Sequence, residues 1–218
     1  LATREQGELI VGLRLALGFD VIYLIFINLF VLSDMKRPNK ILAPSFFNRD
    51  ARAVAKDLLG KCLVRKQDGG NKAYIITETE AYIGPQDKAS HAYRGRTART
   101  EIMFGPPGTL YVYFVYGAHH ILNVVTGKKN FPAAVLLRGV DGISGPGRLT
   151  KALGITKKQN GLLALPGKSP VWFEDSGQIK AKIKIVRAPR VGVPYAKEWK
   201  NKPYRFSSLN ANKPSRDS

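Results

Sequence analysis

Lys61–Tyr82 reads KCLVRKQDGGNKAYIITETEAY. Two runs rich in branched and aromatic side chains flank Gln67-Asp68-Gly69-Gly70, and Asp-Gly between such runs is a hairpin signal. Antiparallel strands are therefore expected over Lys61–Lys66 and Ala73–Tyr82. Upstream, Ala51–Leu59 carries Val54, Ala55, Leu58 and Leu59 at helical spacing, with Gly60 as a C-terminal stop. Downstream, Thr109–Tyr116 (TLYVYFVY), Ala133–Arg138 (AAVLLR) and the alternating Ile179–Val186 (IKAKIKIV) read as strands, and Leu149–Leu153 as a helix. The pattern predicts an α+β fold with a mostly antiparallel sheet flanked by helices. No internal repeat or low-complexity run interrupts it.

The 218 residues are 44% hydrophobic and 23% charged, which fits a globular chain with a substantial core and excludes wholesale disorder. One cysteine, Cys62, excludes a disulfide framework and a cysteine-rich zinc site. The three histidines, His91, His119 and His120, argue against a multi-histidine metal cage. Residues 1–34 differ from the rest. Val21–Leu32 is apolar apart from Asn28, but extending it to membrane length takes in Asp20 and Arg14, each costing about 2.5–3.5 kcal/mol in mid-membrane. Val31-Leu32-Ser33 is a poor signal-peptidase site. The expectation is an N-terminal extension (1–34) outside the functional domain, from an over-called start, with a weak membrane anchor as the alternative. A domain over 35–209 and a polar tail over 210–218 follow.

The chain carries 35 Lys plus Arg against 16 Asp plus Glu, a net charge of +19. Residues 1–34 hold two arginines against four carboxylates, so the whole excess lies beyond them. Such an excess suggests a polyanion partner, most simply nucleic acid. Within Ala73–Tyr82, strand alternation puts Ile76, Glu78, Glu80 and Tyr82 on one face. That face is either solvated or holds a general base, and periodicity does not choose between the two glutamates. In Leu110–Asn123, Tyr111 and Tyr113 share a face, Tyr116 lies on the other, and Gly117 puts Tyr116 at a turn. Aromatics among positive charge suit base stacking. Between these segments lie about 26 aperiodic residues, a length usually functional or disordered in a compact domain. They are punctuated by Gly84, Pro85, Gly95, Gly105, Pro106, Pro107 and Gly108, and hold His91, Arg94, Arg96 and Arg99.

Several motifs in order resemble the alkyladenine (3-methyladenine) DNA glycosylase family. They are Glu78-Thr79-Glu80-Ala81-Tyr82-Ile83-Gly84-Pro85, Asp87, His91, Met103-Phe104, Pro107 to Tyr113, Tyr116-Gly117 and Asn123. Val135 to Arg138, Gly145-Pro146-Gly147, Leu149, Ala152 to Ile155 and Arg190-Val191-Gly192-Val193 continue the match, which runs from about Leu42 to Phe206. The end, Ser207-Ser208-Leu209-Asn210, lacks the family's final strand pattern.

The resemblance implies a single domain with a curved sheet, a protruding β-hairpin for DNA, and a monofunctional repair hydrolase. Such an enzyme flips alkylated or deaminated purines out of duplex DNA and hydrolyses the N-glycosidic bond. The family's catalytic glutamate falls on Glu80, which activates a water, and Arg138 helps hold both. Tyr82, His91 and Tyr113 sandwich the base, Asn123 clashes with the exocyclic amine of guanine, and Tyr116 is the wedge. Gly147 and Arg148 are candidate phosphate contacts, and His119 is placed near the DNA. No lysine nucleophile, cofactor or metal is implied. The expected partner is double-stranded DNA bearing damaged purines, bound by a monomer without an obligate protein partner in the cytoplasm (nucleoid). The alternative is a non-enzymatic basic nucleic-acid-binding module.

Overall fold

Strand β3 (Gly70–Tyr82) organises the molecule. A computed structural model of the chain describes residues 39–115, 117–177 and 183–209. The N-terminal extension, Tyr116, residues 179–182 of the alternating run and the polar tail lie outside the described residues. β2 (Cys62–Gln67) pairs with the first half of β3, and Gln67 opposite Gly70 leaves Asp68-Gly69 as a two-residue loop. The second half of β3 pairs with β6 (Ala133–Val140) and β10 (Arg205–Ser208). Beyond β6 follow β5 (His119–Thr126) and β4 (Leu110–Val115), and beyond β2 follow β8 (Val171–Asp175) and β1 (Lys40–Ile41). β7 (Ile143–Ser144) adds to β6, and β9 (Ile185–Ala188) adds to β10. All pairings among the described strands are antiparallel, and the fold is the expected α+β.

Among the described residues three short helices, α1 (Pro44–Phe47), α2 (Ala51–Asp57) and α3 (Pro146–Ala152), accompany the sheet. Asp50 caps α2 by accepting from the Arg52 amide at 2.8 Å. Gly60, at φ 79°, ends the turn after it in the left-handed region. Val54, Ala55 and Leu58 are fully buried against Ile76, Ala81, Val135 and Leu137. Thr79 is equally buried and donates its hydroxyl to the Ala55 carbonyl at 2.8 Å, tying β3 to α2. No helix among the described residues is long and apolar enough to cross a membrane.

The sheet separates the core from an open face by simple alternation. Leu110 and Val112, Leu122 and Val124, Val135 and Leu137, and Thr79 and Ala81 are buried on the core side. The residues between them point the other way. Ile76 departs from the expected pattern. It lies in the core with Ala81, not on the face of Glu78. The register explains why: Ile76 opposes Val140 while Glu78 opposes Gly139, so Thr77 is an extra residue. Such a bulge reverses the alternation. The final strand also departs from expectation, because Arg205–Ser208 pairs with Glu78–Glu80 on one side and β9 on the other. Its sequence pattern is weak because only Phe206 enters the core. β5 and β8 lie outside the strands expected from the sequence, and of the strand expected over Ile179–Val186 the described residues form one only from Ile185, continuing to Ala188.

Phe206 is 2% exposed in the main core. Phe206→Ala is expected to cost about 3–5 kcal/mol in urea unfolding; a loss below about 1 kcal/mol would show that β10 is a loosely attached edge.

Candidate active site

Four neighbouring strands bring one row of side chains together. Glu80 opposes Leu136, Leu136 opposes Asn123, and Asn123 opposes Tyr111. These residues line a cavity of about 580 Å³, together with Tyr82, His91, Tyr113 and Arg138. All six residues assigned to catalysis and the base pocket from the sequence therefore share one cavity. The aperiodic loop supplies its lid side through a 3₁₀ turn, His91–Arg94, whose start is capped by Ser90 accepting from the Ala92 amide at 3.2 Å.

Glu80 is 0% exposed. Its Oε1 accepts from the Val191 amide at 2.9 Å and lies 3.3 Å from Arg138 Nη1; its Oε2 accepts from the Tyr82 hydroxyl at 3.1 Å. Burial pushes the Glu80 carboxyl up from its ordinary value, against the pull of Arg138, the Val191 amide and the Tyr82 hydroxyl. The Tyr82 phenol is held well above its usual range by burial and by the adjoining carboxylate, so it stays a donor.

Arg138 owes its aim to a second bulge. Thr79 opposes Leu137 while Glu78 opposes Gly139, which leaves Arg138 as the extra residue on β6. Its guanidinium lies between the two glutamates, with Nε 3.4 Å from Glu78 Oε1. Bulges beside active sites re-aim side chains in this way.

The aromatic wall is built edge to face. His91 and Tyr113 rings meet at 4.6 Å and 78°, and Tyr111 lies 5.2 Å from Tyr113. His91 Nδ1 is 3.2 Å from the Tyr111 hydroxyl. Burial and the nearby Arg99 cation lower His91 to about 4, so it is a neutral imidazole at physiological pH. Burial raises the Tyr113 phenol. Asn123 is buried and donates to the Tyr111 carbonyl at 3.1 Å, which fixes its amide on the cavity floor.

Other parts of the site were missed by sequence reasoning. Arg190 and Asp87 form a fully buried ion pair at 2.5 and 2.9 Å. Arg190 also donates to the Ala81 carbonyl, and its guanidinium lies 4.8 Å from the Tyr82 ring centroid. Asp87 in turn accepts from the Ile83 and Ala89 amides. One ion pair thus ties β3, the loop carrying His91 and the segment carrying Val191. Both residues sit in the quoted motifs, but nothing in sequence pairs positions 103 apart. The Val191 amide is backbone and has no sequence signal.

Two expected phosphate contacts lie outside the cavity lining. Arg148 is exposed on α3, with its guanidinium folded close to Gly145. Gly147 has the His119 ring within 2.9 Å of where a Cβ would stand, so α3 packs closely on the β4–β5 hairpin near its turn. Tyr116, which follows Val115 in the sequence, lies outside the described residues.

A model of the methylpurine-DNA glycosylase (MPG) family matches residues 45–144 and 141–212. Three relatives carry a provisional designation as 3-methyladenine DNA glycosylase. One from Anaeromyxobacter sp. (strain Fw109-5) is 46% identical over 173 residues, covering 76% of this chain and 88% of its own. One from Methanocella arvoryzae is 42% identical over 191 residues, covering 78% and 94%. One from Clostridium perfringens (strain SM101 / Type A) is 40% identical over 193 residues, covering 76% and 94%.

Replacing Arg190 by Met would strand a buried carboxylate and is expected to cost about 3–5 kcal/mol in chemical denaturation. Adding Asp87→Leu should recover part of that loss, whereas additive losses would show that the pair is not coupled.

Proposed function

This chain belongs to the methylpurine-DNA glycosylase family, and we propose that its cavity receives a damaged purine flipped from duplex DNA while Glu80 activates the attacking water. It is a DNA glycosylase of DNA repair, and DNA is its substrate. The single observation that carries the finer reading is a fully buried carboxylate, held by a cation and an amide, on the floor of an aromatic-walled cavity. A solvated face, which a plain binding module would present, leaves no reason to bury Glu80.

In this reading the Glu80 carboxylate takes a proton from water as the water oxygen bonds to C1′. The C1′–N bond breaks and its electron pair leaves with the purine. An alkylated purine that carries positive charge departs neutral. Arg138 orients the carboxylate and the water. Tyr82, His91 and Tyr113 hold the base by stacking, worth about 1–3 kcal/mol per base. His91, being neutral, places no like charge against a cationic ring. Asn123 stands where its amide would oppose the exocyclic amine of guanine. Lysines and arginines across the +19 chain, Arg148 among them, hold phosphates without reading sequence, and the Gly147 backbone adds a phosphate contact. Residues 1–34 stand outside the catalytic domain of 35–209, and the family match begins at residue 45.

Glu80→Gln is expected to bind lesion-bearing duplex as the parent does and to lose base release by at least about 100-fold in single turnover, the low end for removing a general base. Near-parental release would reject Glu80 as the base. Because burial raises its pKa, Glu80 ionises only above the ordinary glutamate value of about 4.3. Excision should therefore fall as pH drops through that raised value.

Tyr116 serves as the wedge that fills the gap left by the flipped nucleotide, an energy of a few kcal/mol at most. Tyr116→Ala should lose more excision on well-paired lesions than on bulged ones, where extrusion is already partly accomplished. Equal loss on both, together with a lowered melting temperature, would assign Tyr116 to packing instead.

A further inference from the structure

Glu78 does not line the cavity, yet it shares a cation with the residue that does. Arg138 is 3.4 Å from Glu78 and 3.3 Å from Glu80, so it commits fully to neither. The same Glu78 oxygen also accepts from Arg205 Nη1 at 2.8 Å. Arg205 lies on β10, directly opposite Glu80 in register, and its Nε is held by the Pro189 carbonyl at 2.9 Å. The result is a chain of alternating charge, Arg205–Glu78–Arg138–Glu80, running from the C-terminal strand to the cavity floor. Glu78 and Arg138 are about seven-eighths buried, with side chains 13% and 14% exposed, so solvent screens these charges little.

We propose that Glu78 and Arg205 are positioning residues for excision: they set how much of the Arg138 charge reaches Glu80. This rests on Glu80 being the base. When Arg205 neutralises Glu78, Arg138 is released toward Glu80. When Arg205 is absent, Glu78 draws Arg138 away. The other groups facing Glu80 do not compete for this cation. The Tyr82 and Tyr113 phenols are neutral, His91 is neutral, and Arg190 is committed to Asp87. Neither Glu78 nor Arg205 needs to touch DNA or water to act.

The two residues should act with opposite sign. In Glu78→Gln, the loss of a nearby anion and the release of both arginines favour ionised Glu80, so the acid limb of excision moves to lower pH. In Arg205→Met, Glu78 pulls Arg138 from Glu80 and the limb moves to higher pH. Each shift is expected to be about 1 pH unit, the low end for a charge a few ångströms away. Arg205→Lys restores the charge and should bring the limb back.

The test is single-turnover base release from a hypoxanthine duplex across pH, with saturating enzyme, for the parent, these three variants and Glu80→Gln. Opposite shifts with rescue by lysine support the proposal. A purely structural role would lower melting temperature and leave the limb in place. Limbs that coincide with the parent in both Glu78→Gln and Arg205→Met overturn it. Should Glu78→Gln not fold, the Arg205→Met and Arg205→Lys pair decides alone: an unmoved limb in Arg205→Met overturns the proposal. If Glu80→Gln itself releases base at the parental rate, the fault lies with the choice of base and not with the charge chain.

Discussion

The ion pair between Arg190 and Asp87 is the constraint on which the site depends. Both side chains are excluded from solvent, and a buried pair rarely adds net stability compared with apolar packing, because desolvation offsets most of the attraction. What it does provide is geometry. Arg190 bonds the Ala81 carbonyl of β3, Asp87 bonds two amides of the loop before His91, and the residue after Arg190 gives its amide to Glu80. Three chain segments that share no strand pairing at this point are held in one arrangement. The pair acts alongside the packing of Ala92 against Tyr111, Val125 and Ala134 in holding the loop carrying His91 over the sheet.

The sheet supplies the complementary half. Its four strands β3, β6, β5 and β4 bury one face against α2 and α3 and turn the other toward the cavity. Alternation alone makes this division, so the same strands that build the core also present Glu80, Arg138, Asn123 and Tyr113. Two bulges of opposite sense, at Thr77 and Arg138, refine it. The first returns Ile76 to the core, and the second swings Arg138 between two carboxylates. The electrostatic consequence is a fully buried glutamate whose charge is supported by shared, not dedicated, cations.

The β4–β5 hairpin is joined to this frame through α3. The last pair before its turn is Val115 with His119, and the His119 ring lies so near Gly147 that no side chain fits there. Glycine at 147 is thus a packing requirement between hairpin and α3. Asn160 and the Leu162 carbonyl cover the outer edge of β4, satisfying amides that an edge strand would leave open.

The sequence by itself determined the elements whose signal is local. The Asp68-Gly69 hairpin, the helix beginning at Ala51, the strand over Leu110–Val115 and the shared face of Glu80 and Tyr82 follow from turn chemistry and local periodicity, which operate between near neighbours. Ordered motifs named the family and pointed to Glu80, Arg138, Tyr82, His91, Tyr113 and Asn123, and all of these line one cavity. Tertiary structure decided the rest. The Arg190–Asp87 pair, the Val191 amide on Glu80 and the seating of β10 beside Glu78–Glu80 join residues about a hundred or more positions apart. The side of the sheet on which Ile76 falls was likewise not legible, because a bulge is a property of two strands in register and no single strand records it. Local sequence sets the alternation of side chains between bulges, but the partner that buries a side chain, clamps it or walls it in arrives only when the chain folds back.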